Sequence, residues 1–210
     1  MVETVKSFVL QTLRSPHVEW LNFSFDNTRV YPTGYRNDVA RAFESERIRI
    51  TTNYADVSHD PAATAPEAAY VMETARGQMH YLFLSPSLTF RCGRDLCVNA
   101  LSSLEEANLR RTIIHECTHA LQDYQSVTLT PQTAEASAYL AGAITGRRWG
   151  DHHIVANERA GAHAYAFSLA DRLLQQGLPH RPWAILAEDI AWLKSHVLLG
   201  RAERYVFNGI

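Results

Sequence analysis

Residues 103–124 read SLEEANLRRTIIHECTHALQDY, and this stretch sets the reading of the whole chain. Ser103 with Glu106 three residues on is a capping-box signature, and helical apolar spacing then continues to about Tyr124. Inside it lies His115-Glu116-Cys117-Thr118-His119, an H-E-x-x-H motif. On a helix, residues four apart stand about 6 Å apart along the axis on one face, so two imidazoles can grip one metal ion. The glutamate between them then sits where it can take a proton from a bound water. At about 100° per residue, Thr112, His115, Glu116, His119 and Asp123 share one stripe. Leu109, Ile113, Cys117, Ala120, Leu121 and Tyr124 share the opposite one. This predicts a polar face toward a cleft and an apolar face in the core, with Cys117 on the core side.

Catalytic zinc takes three protein ligands and keeps one position open for water. Asp123 cannot be the third, because it lies about 12 Å from His115 along the helix. The longer H-E-x-x-H-x-x-G-x-x-H pattern fails as well, since Gln122 and Gln125 occupy its Gly and His positions. Glu135 is the leading candidate: a short connection and an antiparallel helix would bring it back over the metal. Its neighbours Ala134, Ala136, Ala138 and Gly142 are small enough for close helix approach. Glu158 stands second, and His152, His153 and His163 remain as further candidates.

Outward from this segment, Thr130-Pro131 predicts the start of a second helix and Gly146 its end, Asn157 caps a third reaching Gln176, and Pro182 opens a fourth. In the fourth, Trp183, Leu186, Ile190, Leu193 and Val197 make one apolar face. Upstream, residues 1–14 have helical spacing, 15–37 are irregular with Pro16, Pro32 and Gly34 as breakers, and Asp38 to Arg47 reads as a short helix. Strands are predicted at 48–52, 69–73, 79–85, 88–92 and 96–100. Strands first and helices afterwards is the α+β pattern. The expectation is one domain over 1–210, with a small N-terminal antiparallel sheet in a mixed lobe (1–102) packed on a mainly helical lobe (103–210) that carries the metal site.

Composition narrows the function classes. With 20 Lys+Arg against 22 Asp+Glu, the net charge of −2 offers no footprint for a nucleic-acid backbone or a membrane surface. A hydrophobic share of 46% with 20% charged residues describes a folding chain with a core of its own. No stretch is apolar for the 18 or more residues that a spanning helix needs, and the first twenty residues lack a secretory signal. Three cysteines fit a reducing, cytoplasmic compartment by default, with export by a signal-less route left open. Cys92 and Cys97 flank a four-residue turn and could be bridged.

The segment His115-Glu116-Cys117-Thr118-His119-Ala120-Leu121-Gln122-Asp123-Tyr124 resembles the active-site helix of thermolysin-like enzymes, and Glu135-Ala136 is similar to their downstream glutamate–alanine pair. Glu135-Ala136-Ser137-Ala138-Tyr139 also looks like the Glu-Ala-x-x-aromatic segment of short bacterial metallopeptidases that cut regulatory proteins. The resemblance, to gluzincin-type zinc metallopeptidases, covers about residues 103–146. It implies a hydrolase with a peptide or protein substrate, Zn²⁺ held by His115, His119 and Glu135, and Glu116 as general base. In the thermolysin-like pattern an aspartate four residues after the ligand glutamate supports the first histidine; Tyr139 stands there instead. The pattern also places a strand beside the extended substrate, for which 79–85 or 88–92 would serve. Tyr139, Tyr165 or a histidine from 152–163 would then stabilise the oxyanion. Two other readings stay open: a metal-binding or narrow-specificity effector or interaction domain without general protease activity, and a metal-free helical interaction domain.

Overall fold

The computed structural model describes residues 3–54, 68–73, 79–153 and 161–197. Thr4 caps helix α1 (Val5–Arg14) by accepting from the Ser7 N–H, and Val5, Phe8, Val9 and Leu13 bury its apolar face. The stretch expected to be irregular is more ordered than its breakers suggest. It forms a 3₁₀ turn (Pro16–Trp20), a hairpin of β1 (Phe23–Phe25) and β2 (Thr28–Val30), and a π-helical turn (Gly34–Val39) running into α2 (Ala40–Glu44). The hairpin strands are three residues each, too short for their in–out alternation to be read as a period. Gly34 packs closely: a Cβ there would meet Leu121 Cδ1 at 2.5 Å and the Tyr31 ring at 2.9 Å, so these side chains would have to move aside.

The α+β class is what the chain adopts, but the single antiparallel sheet is not. Strands β3 (Ile48–Thr51), β4 (Ala68–Glu73) and β5 (Met79–Leu84) form a mixed sheet in the order β3-β5-β4, with β3 parallel and β4 antiparallel to β5. A separate hairpin joins β6 (Thr89–Cys92) to β7 (Asp95–Val98), closed by a Cys92–Cys97 disulfide. It is tied to the chain start by the Val98 N–H donating to the Glu3 carbonyl.

Helix α3 (Ser103–Tyr124) begins one residue earlier than its signature implied. Ser102 is the N-cap and exchanges bonds with Glu105, because the doublets Ser102-Ser103 and Glu105-Glu106 offer the box in two registers. Helix α4 (Pro131–Arg148) starts at the expected Thr130 cap but runs through Gly146. That glycine is a contact residue and no terminator: its Cβ would lie 2.9 Å from Arg111 Cδ. Helix α5 (Ala162–Leu174) ends ahead of Gly177 at φ +83°, while the Asn157 cap lies outside the described residues. The expected fourth helix is divided. Trp183–Ala184 forms β8, parallel to β1, with the Trp183 N–H donating to the Asn22 carbonyl, and α6 (Ala187–His196) follows. Leu186, expected on the apolar face, is exposed.

One core runs through both halves, joining Phe8, Phe23, Tyr35 and Phe43 to Ile113, Leu121, Ile144 and Phe167. Tyr35 donates to or accepts from Thr118 at 2.7 Å deep inside it, which pins α3 against the N-terminal segment. Among the described residues, no helix is long and apolar enough to cross a membrane.

Candidate metal centre

Helices α3 and α4 run antiparallel, since their contacts pair Gln122 with Ala134 and Ser137, His119 with Glu135, and Arg111 with Gly142 and Gly146. This packing carries Glu135 onto the histidine pair. Its carboxylate oxygens lie 3.3 Å from His115 Nε2 and 3.5 Å from His119 Nε2. One donor atom from each of the three residues falls within 4.8 Å of the others, a group that could hold a metal ion. Burial works against charging His115, but the hydrogen bond to Glu135 and the charges of Glu116 and Glu135 outweigh it, so its pKa rises. The potential at this spot favours positive charge.

His119 is oriented from behind. Its Nδ1 lies 3.1 Å from Gln122 Oε1, and Gln122 Nε2 donates to Ser137 Oγ at 2.8 Å and to the Ala134 carbonyl at 3.3 Å. Two acceptors on the amide nitrogen fix which way the glutamine points, so its oxygen faces the imidazole. His119 therefore carries its hydrogen on Nδ1 and offers the Nε2 lone pair to a cation. Glu116 is held by a strand: the Tyr70 N–H donates to its Oε2 at 2.7 Å.

Compared with known proteins, the chain matches no family model, no curated sequence and no solved structure.

The polar stripe does not simply face a cleft. Glu116, His119 and Asp123 are buried, covered by α4 and β4, whereas Thr112 and His115 are partly exposed. Tyr124, expected on the apolar stripe, is exposed at the helix end, and Cys117 is buried with its thiol pushed up by desolvation. Nor does 79–85 offer an edge: β5 is central, flanked by β3 and β4, and the strand whose backbone reaches the site is β4.

Among the other candidates, the Tyr139 ring stacks edge-on to His115 at 4.9 Å and lies 5.8 Å from His163. Burial, then the charges of Glu135 and Glu116, hold its hydroxyl protonated beyond the usual range. His163, on the first turn of α5, has Nε2 2.7 Å from Arg111 Nη1. Burial first, then the charges of Arg111 and His115, push its pKa down to about 4, so it is neutral and accepts from the guanidinium. Arg111 in turn lies 3.4 Å from Oδ2 of the buried Asp151. Tyr165 points elsewhere: its hydroxyl donates to Asp189 and its ring stacks on Trp192 at 4.0 Å. His152 and His153 are exposed and outside the metal-holding group, and Glu158 lies outside the described residues. Two residues of this region carry no local sequence signal for their roles. Gln122 stands out in the sequence only as a break in the longer motif, and His80, whose Nδ1 lies 3.1 Å from Asp123 Oδ2 on α3, belongs to no motif at all.

Proposed function

We propose that this chain is a zinc-dependent metallopeptidase of gluzincin type. The convergence of His115, His119 and Glu135 beside Glu116 supports the reading most directly. Tetrahedral zinc with bonds of about 2.0–2.1 Å sets its ligand atoms about 3.3 Å apart. Glu135 places one carboxylate oxygen 3.3 Å from His115 Nε2 and the other 3.5 Å from His119 Nε2, and one donor atom from each residue lies within 4.8 Å of the others, close enough for small adjustments to bring all three onto one ion. Two imidazoles and a carboxylate suit zinc better than magnesium or calcium, which prefer all-oxygen shells. When bound there, zinc lowers the pKa of a coordinated water toward about 7 and polarises a carbonyl.

The chain's own groups would do the rest. Glu116, steadied on one oxygen by the Tyr70 N–H, takes the proton of the attacking water and delivers it to the leaving amine. Tyr139 O–H is one donor for the oxyanion. His163 would be a second, its ring held by Arg111 at Nε2 and lying 5.8 Å from that of Tyr139. The alternative, a metal-binding or narrow-specificity effector domain, draws support from the buried setting of His119 and Glu116, which limits approach to the site.

The test joins metal analysis to one substitution. Protein purified without added metal should contain near-stoichiometric zinc, retained in Glu116→Gln and lost in His119→Ala. Hydrolysis of a proteome-derived peptide library should fall about 10²–10⁴-fold in Glu116→Gln. Full activity in that variant rejects the mechanism, and cleavage confined to a single target favours the effector reading.

A further inference from the structure

Tyr70 touches α3 at two points. Its backbone N–H donates to Glu116 Oε2 at 2.7 Å, and its hydroxyl donates to Asp123 Oδ2 at 3.0 Å. Glu116 and Asp123 are seven residues apart, two turns or about 10.5 Å along one helix face, so a single residue of β4 spans both. The hydroxyl also lies 2.9 Å from His80 Nδ1 on β5, which is itself 3.1 Å from Asp123 Oδ2, and the two rings stack with their planes 10° apart. Tyr70, His80 and Asp123 are all buried. The proton count closes. Tyr70 has one hydroxyl hydrogen, given to Asp123, so His80 Nδ1 must carry a hydrogen shared between the phenol oxygen and the carboxylate. Asp123 is too far along the helix to be a ligand, and metal binding needs none of these side chains.

We propose that Tyr70, His80 and Asp123 form a positioning network that locks β4 onto α3 and thereby holds the Tyr70 N–H on Glu116, aiming the general base. The kinetic part of this inference rests on the peptidase reading; the structural part does not. Buried and mutually bonded, the network fixes the strand by side-chain bonds at one end of Tyr70 while its peptide group orients the carboxylate at the other. A displacement of about 1 Å at a reacting group can cost about 10²-fold in rate, so a slackened strand would act on the chemical step more than on binding.

Tyr70→Phe in the zinc-loaded full chain is the direct test, because it deletes one hydroxyl and leaves Asp123 with His80. Amide hydrogen exchange at position 70, followed by NMR, should accelerate about tenfold or more, with the Ile114 and Cys117 amides unchanged. The kcat for peptide hydrolysis should fall about tenfold, with KM within about twofold and zinc content unaltered. If Tyr70→Phe does not fold, His80→Phe should reproduce both effects, and His80→Gln, which keeps a donor, should show neither. Both effects together are required: unchanged exchange, or accelerated exchange with kcat intact, overturns the proposal. Absence of any hydrolysis by the loaded wild-type chain fails the peptidase reading instead. In that event exchange at position 70 alone decides, and an unaltered rate rejects the network's positioning role.

Discussion

At the scale of single residues, the least obvious contributor is Gln122. It links His119 to Ser137 and the Ala134 carbonyl, and so sets the tautomer that presents Nε2 to a cation. Removing such a supporting contact typically weakens metal binding by about 10–100-fold. Gln122→Ala should show a loss of that size in competition with a chromophoric chelator, while the fold, read by circular dichroism, is unchanged. His115, Glu116 and His119 were legible in the sequence because helix geometry alone fixes residues at i, i+1 and i+4. Gln122 was not, because its role depends on what the opposite helix brings to it. The same holds for His80, whose partners come from elements separated by tens of residues from one another.

At the scale of elements, the site depends on how closely α3 and α4 approach. A Cβ on Gly142 would lie 3.3 Å from the Arg111 carbonyl oxygen and 3.7 Å from His115 Cβ. Gly142→Ala should therefore force the helices apart by a few tenths of an ångström, moving Glu135 away from the histidine pair. Overpacking of this kind costs about 1–3 kcal/mol. We expect a lower thermal midpoint and several-fold weaker binding of the proposed zinc, both measurable on the same preparation by calorimetry. The small-residue run around Glu135 anticipated this approach. The caps show where local signals give out: paired serines and paired glutamates made two boxes equally readable, and the chain uses the earlier one, Ser102 with Glu105. Strand β8 is a stronger case. Two residues carry no periodicity, and Trp183 becomes a strand because the Asn22 carbonyl is there to receive its N–H.

For the whole molecule, stability should carry a signature of His163. Its pKa lies at about 4 in the folded chain against 6.5 for an ordinary imidazole. Below pH 6.5 the unfolded chain takes up a proton that the folded chain refuses, so the stabilisation present at neutral pH is lost progressively down to about pH 4. Because the ring is partly exposed, we expect about 2 kcal/mol over that interval after allowance for solvent screening. Urea midpoints of metal-stripped protein between pH 7 and 4 should fall, and His163→Gln should flatten this part of the profile. A variant with the wild-type slope would show that the drop originates elsewhere.

The sequence by itself determined the α+β class, the helix carrying His115, Glu116 and His119, the cap and small-residue pattern of α4, and the burial of Cys117. All of these follow from short-range periodicity and local chemistry. Only the tertiary structure decided that Glu135 meets both histidines, and that β4, not β5, reaches Glu116. It alone closed the polar stripe over Asp123 and joined β1 to β8. Those arrangements depend on contacts between segments far apart in the chain, where the geometry of packed helices and paired strands, and no nearby residue pattern, selects the partner.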